Sequence, residues 1–383
     1  MSHEPEVTGA PPSGNRAFRY LVRGRYLVLL VWGTAFFAQQ FQRTGNGLTD
    51  WRAFEGGARV LIYFHHRYGY SGGALHLYEN YPFIQIGPPA LLPLTPLQGF
   101  RPLSVALAFG ILMSLAGLLV VGLCEAIARR VRPADPRIGL WALVGGLAVT
   151  ATWSHDVGLY RHLDDTMAIT MACAAALVVT RQGRWWWVAI LLGTACATKP
   201  WAVVLIPLLL GLPRLVWART FIALAAVATA WWLPFLIGAP GTVDALAGYH
   251  LVPSAGSVPF LLGVHTSVSS WLRPAQAIFG LAAGVAAVTR GRWLAVPLAG
   301  LGVRVALDPY SFSYYGMGPM AAALLWDLGG ARRRWPVWTT ATLVTEYLVP
   351  LVAPSGVEAA GRLLWSAAAV GLLVMRTRKE QAS

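Results

Sequence analysis

The chain has 383 residues, 56% of them hydrophobic and only 12% charged, with a formal net charge of +14. Soluble domains carry roughly 25% charged residues, so the composition excludes an ordinary soluble domain and points to a polytopic membrane protein. The basic residues sit in short loops beside apolar runs, which assigns them to topology and anionic lipid headgroups and argues against nucleic acid as a partner.

The first 16 residues, MSHEPEVTGAPPSGNR, are polar and rich in Pro and Gly, as expected of a disordered cytoplasmic tail. Arg19, Arg23 and Arg25 then lead into a first span with no small-residue cleavage pattern, unlike a secretory signal. Spanning takes about 20 apolar residues. Apolar runs predict spans near 25–41, 103–124, 138–153, 166–180, 185–198, 201–212, 220–238, 274–289, 293–306, 316–328, 336–352 and 359–375. Residues 17–375 are expected to form a single transmembrane domain, followed by a cytoplasmic tail over 376–383. Trp185, Trp186, Trp187, Trp231, Trp232, Trp335 and Trp338 fall near span ends, where indole rings prefer to sit.

One further run, 82–100, carries Pro82, Pro88, Pro89, Pro93 and Pro96. That many prolines break a continuous helix. If this run crosses, the loop with Arg129, Arg130, Arg132 and Arg137 falls outside and all later loops invert. If it does not cross, the basic loops (16–25, 129–137, 181–184, 214–219, 290–292, 332–334 and 376–379) all fall inside, as the positive-inside rule requires. The run therefore reads as a re-entrant or interfacial segment, giving an all-α protein of about twelve spans with both termini in the cytoplasm.

The outer face then collects the reactive side chains. The first outer loop, 42–81, contains Asp50, Glu55, His65, His66, His76 and Glu79. The second, 154–165, reads SHDVGLYRHLDD; a tight turn follows at Thr198-Lys199-Pro200. The loop over 239–273 holds Asp244, His250, His265 and Arg273, and the last begins Asp308-Pro309-Tyr310. All the histidines except His3 lie on this face, a segregation that a purely structural account does not explain and that points to an outward-facing site. Charges inside spans are few: Arg304, Glu346, and at the margins Asp327 and Arg362. The eye finds no internal repeat of the kind inverted-repeat transporters leave. Cys124, Cys173 and Cys196 show neither a disulfide framework nor a metal spacing.

Asp50 opens a helical-looking stretch whose neighbours Trp51, Phe54, Ala58, Val60 and Leu61 suggest a helix lying on the membrane surface. From position alone it is equally a cap or first-turn acid or a functional carboxylate. Lys199 is the only lysine near the spans, read either as a snorkelling interfacial cation or as a site cation. Asp164 and Asp165 either bind hydroxyls or cap the next span. Tyr310, with Tyr314 and Tyr315, either lines a cavity or anchors at the interface. His65, His66 and His76 suggest a metal, but adjacent histidines point different ways on a helix and the carboxylates follow no ligand spacing.

The stretch Asp50-Trp51-Arg52-Ala53-Phe54-Glu55-Gly56-Gly57-Ala58-Arg59, the proline-rich run from Tyr81-Pro82 to Pro96, and the turn Gly193-Thr194-Ala195-Cys196-Ala197-Thr198-Lys199-Pro200 occur in an order that resembles the C-type (GT-C) glycosyltransferases that use polyprenyl-phosphate sugars. More narrowly, the layout resembles glycosyltransferase family 87, which includes actinobacterial polyprenyl-phosphomannose-dependent mannosyltransferases and a related arabinofuranosyltransferase. It departs from that family at Phe83, where a second proline is usual, and at Arg161-His162-Leu163-Asp164-Asp165, where a Gly-Gln-x-Asn pattern is usual.

The resemblance implies an inverting transfer of a sugar, mannose first and arabinofuranose second, from a polyprenyl-phosphate donor to a glycolipid or glycan acceptor at the outer face of the cell membrane. It implies that Asp50 is the catalytic base. A polyprenyl phosphate leaves without a general acid, while the acceptor hydroxyl must lose its proton as it attacks. Paired carboxylates, as in glycoside hydrolases, are not required. The leaving phosphate needs cations or donors, and Lys199, Arg161, His265 and Arg273 are the candidates. His66, His162, Asp164, Asp165 and Tyr310 are the candidates for sugar and acceptor. No cofactor is expected, with a divalent metal as the disfavoured alternative. A lipid or small-molecule transporter or flippase is the rival of another class.

Overall fold

The structure, a computed structural model, describes residues 16–44, 49–63, 73–249, 252–331 and 335–372. Among these residues every regular element is helical. Four helices are long and apolar enough to cross a membrane: Pro102–Val131, Leu163–Thr180, Arg214–Gly238 and Leu272–Thr289. Shorter apolar helices cover Trp185–Thr198, Pro200–Gly211, Trp293–Leu307 and Val337–Val352.

Polar contacts tie the ends of neighbouring helices together. At one end Arg25, Arg129 and Arg132 gather. Glu125, buried near the close of Pro102–Val131, accepts from Arg25 Nε at 2.7 Å, from the Tyr26 hydroxyl at 2.7 Å and from Arg129 Nε at 2.7 Å. One carboxylate thereby ties the start of the Arg25–Thr44 helix to the end of the next long helix. Arg132 donates to the carbonyls of Leu328, at 3.0 Å, and Ala331, at 2.8 Å, at the same end. Asp327 accepts the Trp338 and Thr339 amides at 3.2 and 2.7 Å, covering donors that open the Val337–Leu343 helix and have no intrahelical partner. At the opposite end the Thr44 hydroxyl donates to the Gly158 carbonyl at 3.0 Å, joining the close of the first apolar helix to that of Ile138–Leu159.

Close approach between these helices depends on small residues, as packing in lipid favours. A Cβ on Gly117 would come within 2.6 Å of the Trp153 ring, and the Trp153 indole donates to the Met113 carbonyl at 2.9 Å. The Pro200–Gly211 segment is a twelve-residue 3₁₀-helix. At about 2.0 Å of rise per residue such a helix covers about 24 Å, some 6 Å more than an α-helix of equal length. Pro207, inside it, has no amide to contribute. Two π-turns, Trp326–Gly330 and Val344–Leu348, interrupt the later helices.

Several boundaries differ from the sequence reading. The helix expected over 138–153 continues to Leu159 and takes in His155 and Asp156. The one expected over 166–180 begins at Leu163, so Asp164 and Asp165 occupy its first turn rather than a loop. The last begins at Ser355 rather than 359 and includes Glu358. In each case hydropathy ends a span at a charge, whereas a charge that is at least partly buried and has a partner lets the helix continue. The proline-rich run divides into a single α-turn, Pro88–Leu91, and a 3₁₀ stretch, Leu92–Leu97. Gly87 just before it lies against the end of the Trp185–Thr198 helix and donates to the Thr198 carbonyl at 2.9 Å. Residues 1–15, His65, His66, His250, Arg332 to Arg334 and 373–383 lie outside the described residues.

Candidate active site

The site grows from the Lys199 turn. The Trp185–Thr198 helix stops there because Pro200 disfavours α geometry in the preceding residue, and Lys199 is extended, with φ −143° and ψ 114°. Its side chain crosses to the first turn of Leu163–Thr180. Nζ forms an ion pair with Asp164 Oδ2 and lies 3.2 Å from Asp165 Oδ2. Asp165 Oδ1 accepts from the Trp201 indole at 2.8 Å. His162 Nδ1 lies 3.2 Å from Asp164 Oδ1 and 3.3 Å from Asp165 Oδ2. Ionised carboxylates only accept, so Nδ1 is assigned the proton. With the imidazole neutral, one ammonium faces two carboxylates and the cluster carries a net charge of −1.

Aromatic rings wall this cluster. His162 stacks on Tyr314 with centroids 3.6 Å apart, and Phe54 meets the imidazole edge to face at 5.9 Å. The stack continues through Phe312, 5.4 Å from Tyr314, to Tyr310, 5.0 Å further on. Beside it the buried Arg304 guanidinium lies between Trp201 and Tyr315, 4.6 Å from each centroid. Arg304 Nε is also 3.5 Å from Asp308 Oδ2.

Burial raises the pKa of the Asp308 carboxyl, against the pull of Arg304, and raises that of the Tyr315 phenol. Burial lowers the pKa of Lys199, but the carboxylates of Asp164 and Asp165 outweigh it and hold the value above that of an ordinary lysine. Arg161, in the loop before His162, has a left-handed backbone with φ 55°. Its guanidinium lies 4.8 Å from the Phe41 ring centroid. Burial lowers its pKa to about 10, with Glu55 opposing.

The structure therefore joins Lys199, His162, Asp164 and Asp165 directly, and links Tyr310 to them through the aromatic stack. Asp50 is the second residue of the Thr49–Tyr63 helix, one turn before Phe54, which touches His162. The Asp50 side chain itself lies outside the described residues. His265 is exposed with its ring against Phe260 at 4.4 Å, and Arg273 is exposed with Nη2 donating to Gln85 at 3.0 Å. Neither belongs to the Lys199 cluster.

Sequence reasoning missed Trp201 and did not assign Arg304 to the site. The signal for Arg304 was present, a lone charge deep in an apolar run, but nothing local says which rings enclose it. Also missed was a second buried network. Asp156 accepts from Ser313 Oγ at 2.6 Å and from the Tyr347 hydroxyl at 2.9 Å. Arg362 Nη2 lies 3.2 Å from Glu346 Oε2, 3.3 Å from Glu358 Oε1 and 3.3 Å from the Ser311 carbonyl. These bonds hold the 310–316 segment, which carries Tyr314 to His162 and Tyr315 to Arg304.

His162, Asp164 and Asp165 present ligand atoms within 4.8 Å of one another. The metal spacing not visible in the sequence thus exists in space, although the Lys199 ammonium lies between the two carboxylates. Comparison of the chain with protein-family models, with characterised proteins and with solved structures finds no match.

Proposed function

We propose that this chain is a membrane glycosyltransferase of the C type with about twelve spans, both termini in the cytoplasm and its site at the outer face. The arginine-rich end would face the cytoplasm by the positive-inside rule, and 82–100 would remain on the outer side. The reaction would move a sugar, mannose favoured and arabinofuranose second, from a polyprenyl phosphate to a hydroxyl of a glycolipid or glycan. Asp50 would take the proton from that hydroxyl, with inversion at the anomeric carbon.

The observation that carries this reading is the meeting of the Asp50 helix with the Lys199 cluster, through Phe54 and His162. An ammonium has three donors; Asp164 accepts one and Asp165 Oδ2 lies 3.2 Å away as an ion-pair partner, so Lys199 can still offer a donor to a phosphate oxygen. Asp164 and Asp165 can in turn accept from sugar hydroxyls. The half-buried Tyr310 and the exposed Phe312 at the outer end of the stack suit a sugar ring or a prenyl chain.

The test incubates membranes carrying wild type or Asp50→Asn with labelled polyprenyl-phosphomannose and polyprenyl-phosphoarabinose. Transfer by wild type, lost in a normally folded Asp50→Asn, is expected. Undiminished transfer by the variant removes Asp50 from the role, and no transfer by wild type from either donor removes the reaction.

One observation favours the transporter reading. Glu346 sits buried in a π-turn opposite Arg362, and π-turns and intramembrane charges both gather at functional sites. Lipid flipping by protein-containing vesicles that Glu346→Gln abolishes would select that reading.

A further inference from the structure

The geometry points to Lys199 as a built-in cation that takes the place of a divalent metal ion. The inference stands whichever reaction the protein performs. Three side chains converge here, one nitrogen and two carboxylates, with ligand atoms within 4.8 Å of one another. All three are buried: His162 is 8% exposed, Asp164 0% and Asp165 1%. Donors of this kind bind a divalent transition metal at about 2.0–2.2 Å, so small side-chain shifts, with the imidazole proton moved to Nε2, would close them around an ion.

Two further observations say what the cluster holds. Asp165 Oδ2 accepts no hydrogen bond, yet it faces Lys199 Nζ at 3.2 Å and His162 Nδ1 at 3.3 Å. An acceptor buried without a hydrogen bond is costly, and here the Lys199 ammonium, with the polar His162 Nδ1 beside it, compensates it. The second observation is the ammonium itself, placed against both carboxylates.

Its backbone is fixed. The Lys199 amide donates to Ala195 at 2.9 Å, its carbonyl accepts from Ala202 at 2.9 Å, and the preceding Thr198 carbonyl accepts from Gly87 at 2.9 Å. A tethered cation competes with free ions at a high effective concentration. Remove it, and two buried carboxylates beside an imidazole become a site whose charge a divalent ion balances.

The experiment uses Mn²⁺ as the probe and the full-length protein in detergent, with binding read by electron paramagnetic resonance and by thermal midpoint. Wild type is expected to show no Mn²⁺ binding that depends on Asp164 and no change in midpoint with EDTA. Lys199→Ala should bind one Mn²⁺ at least tenfold more tightly than wild type, and its midpoint should rise with the ion. Lys199→Ala/Asp164→Asn should lose both effects, and Lys199→Arg should resemble wild type.

Wild-type binding that Asp164→Asn abolishes overturns the proposal, because lysine would then yield to the metal. A folded Lys199→Ala that ignores Mn²⁺ overturns it as well. Should Lys199→Ala fail to accumulate, Mn²⁺ in the growth medium is expected to restore it. Equally poor accumulation with and without the ion counts against the proposal.

Discussion

Replacing Lys199 with methionine keeps the length of the side chain and removes its charge. The Nζ to Asp165 Oδ2 distance is 3.2 Å, which at an effective dielectric constant of about 20 is an attraction of about 5 kcal/mol. The cost of desolvating the ammonium offsets part of that. Breaking a buried pair by removing one partner typically costs about 3–5 kcal/mol, because the other charge stays behind, and we expect a loss in that range for Lys199→Met.

The sign of a second change is the sharper test. Asp164→Asn should destabilise wild type, where it removes an ion pair, and stabilise Lys199→Met, where it removes an unbalanced charge. The assay is unfolding of the full-length protein in mixed detergent micelles for the four members of the cycle. Because Lys199's folded pKa is raised, its contribution is fully present below the ordinary lysine pKa and is lost only as pH rises through the folded value. The gap between wild type and Lys199→Met should therefore stay constant through neutral and mildly alkaline pH. Additive effects within about 0.5 kcal/mol, or a Lys199→Met as stable as wild type, would refute the argument.

Arg304→Lys keeps the charge but not the planar group between Trp201 and Tyr315, and should cost about 2 kcal/mol in the same assay. Gly87→Ala places a Cβ 1.7 Å from the Ala197 carbonyl oxygen. It should cost at least about 3 kcal/mol, whereas Gly99→Ala, with nothing within 4 Å, should be neutral. Tyr347→Phe leaves Asp156 one donor short and should cost about 1–3 kcal/mol, with Tyr347→Ala worse.

Among the candidate site residues, those in the Arg161 to Asp165 stretch and at Lys199 were legible from the sequence, because an isolated polar group beside a long apolar run is conspicuous wherever it occurs. Their mutual relation was not. Asp164 and Lys199 are 35 residues apart, each with a bland local explanation as a cap or a snorkelling cation. Asp165, read either as a hydroxyl-binding loop residue or as a cap of the next span, proved to be a first-turn residue whose partners arrive from the next two helices.

The sequence by itself determined that the chain is built of long apolar helices, and that basic and acid-histidine segments alternate along it. Those properties are sums over local composition, and each apolar helix meets its own backbone hydrogen bonds wherever it sits. Only the tertiary structure decided which charge neutralises which, that Trp201 and Tyr315 enclose Arg304, and that helices continue past Asp156 and Glu358. A buried charge is tolerated when a partner reaches it, and partners here come from helices distant in sequence, at distances set by how closely residues such as Gly87 and Gly117 let the backbones approach.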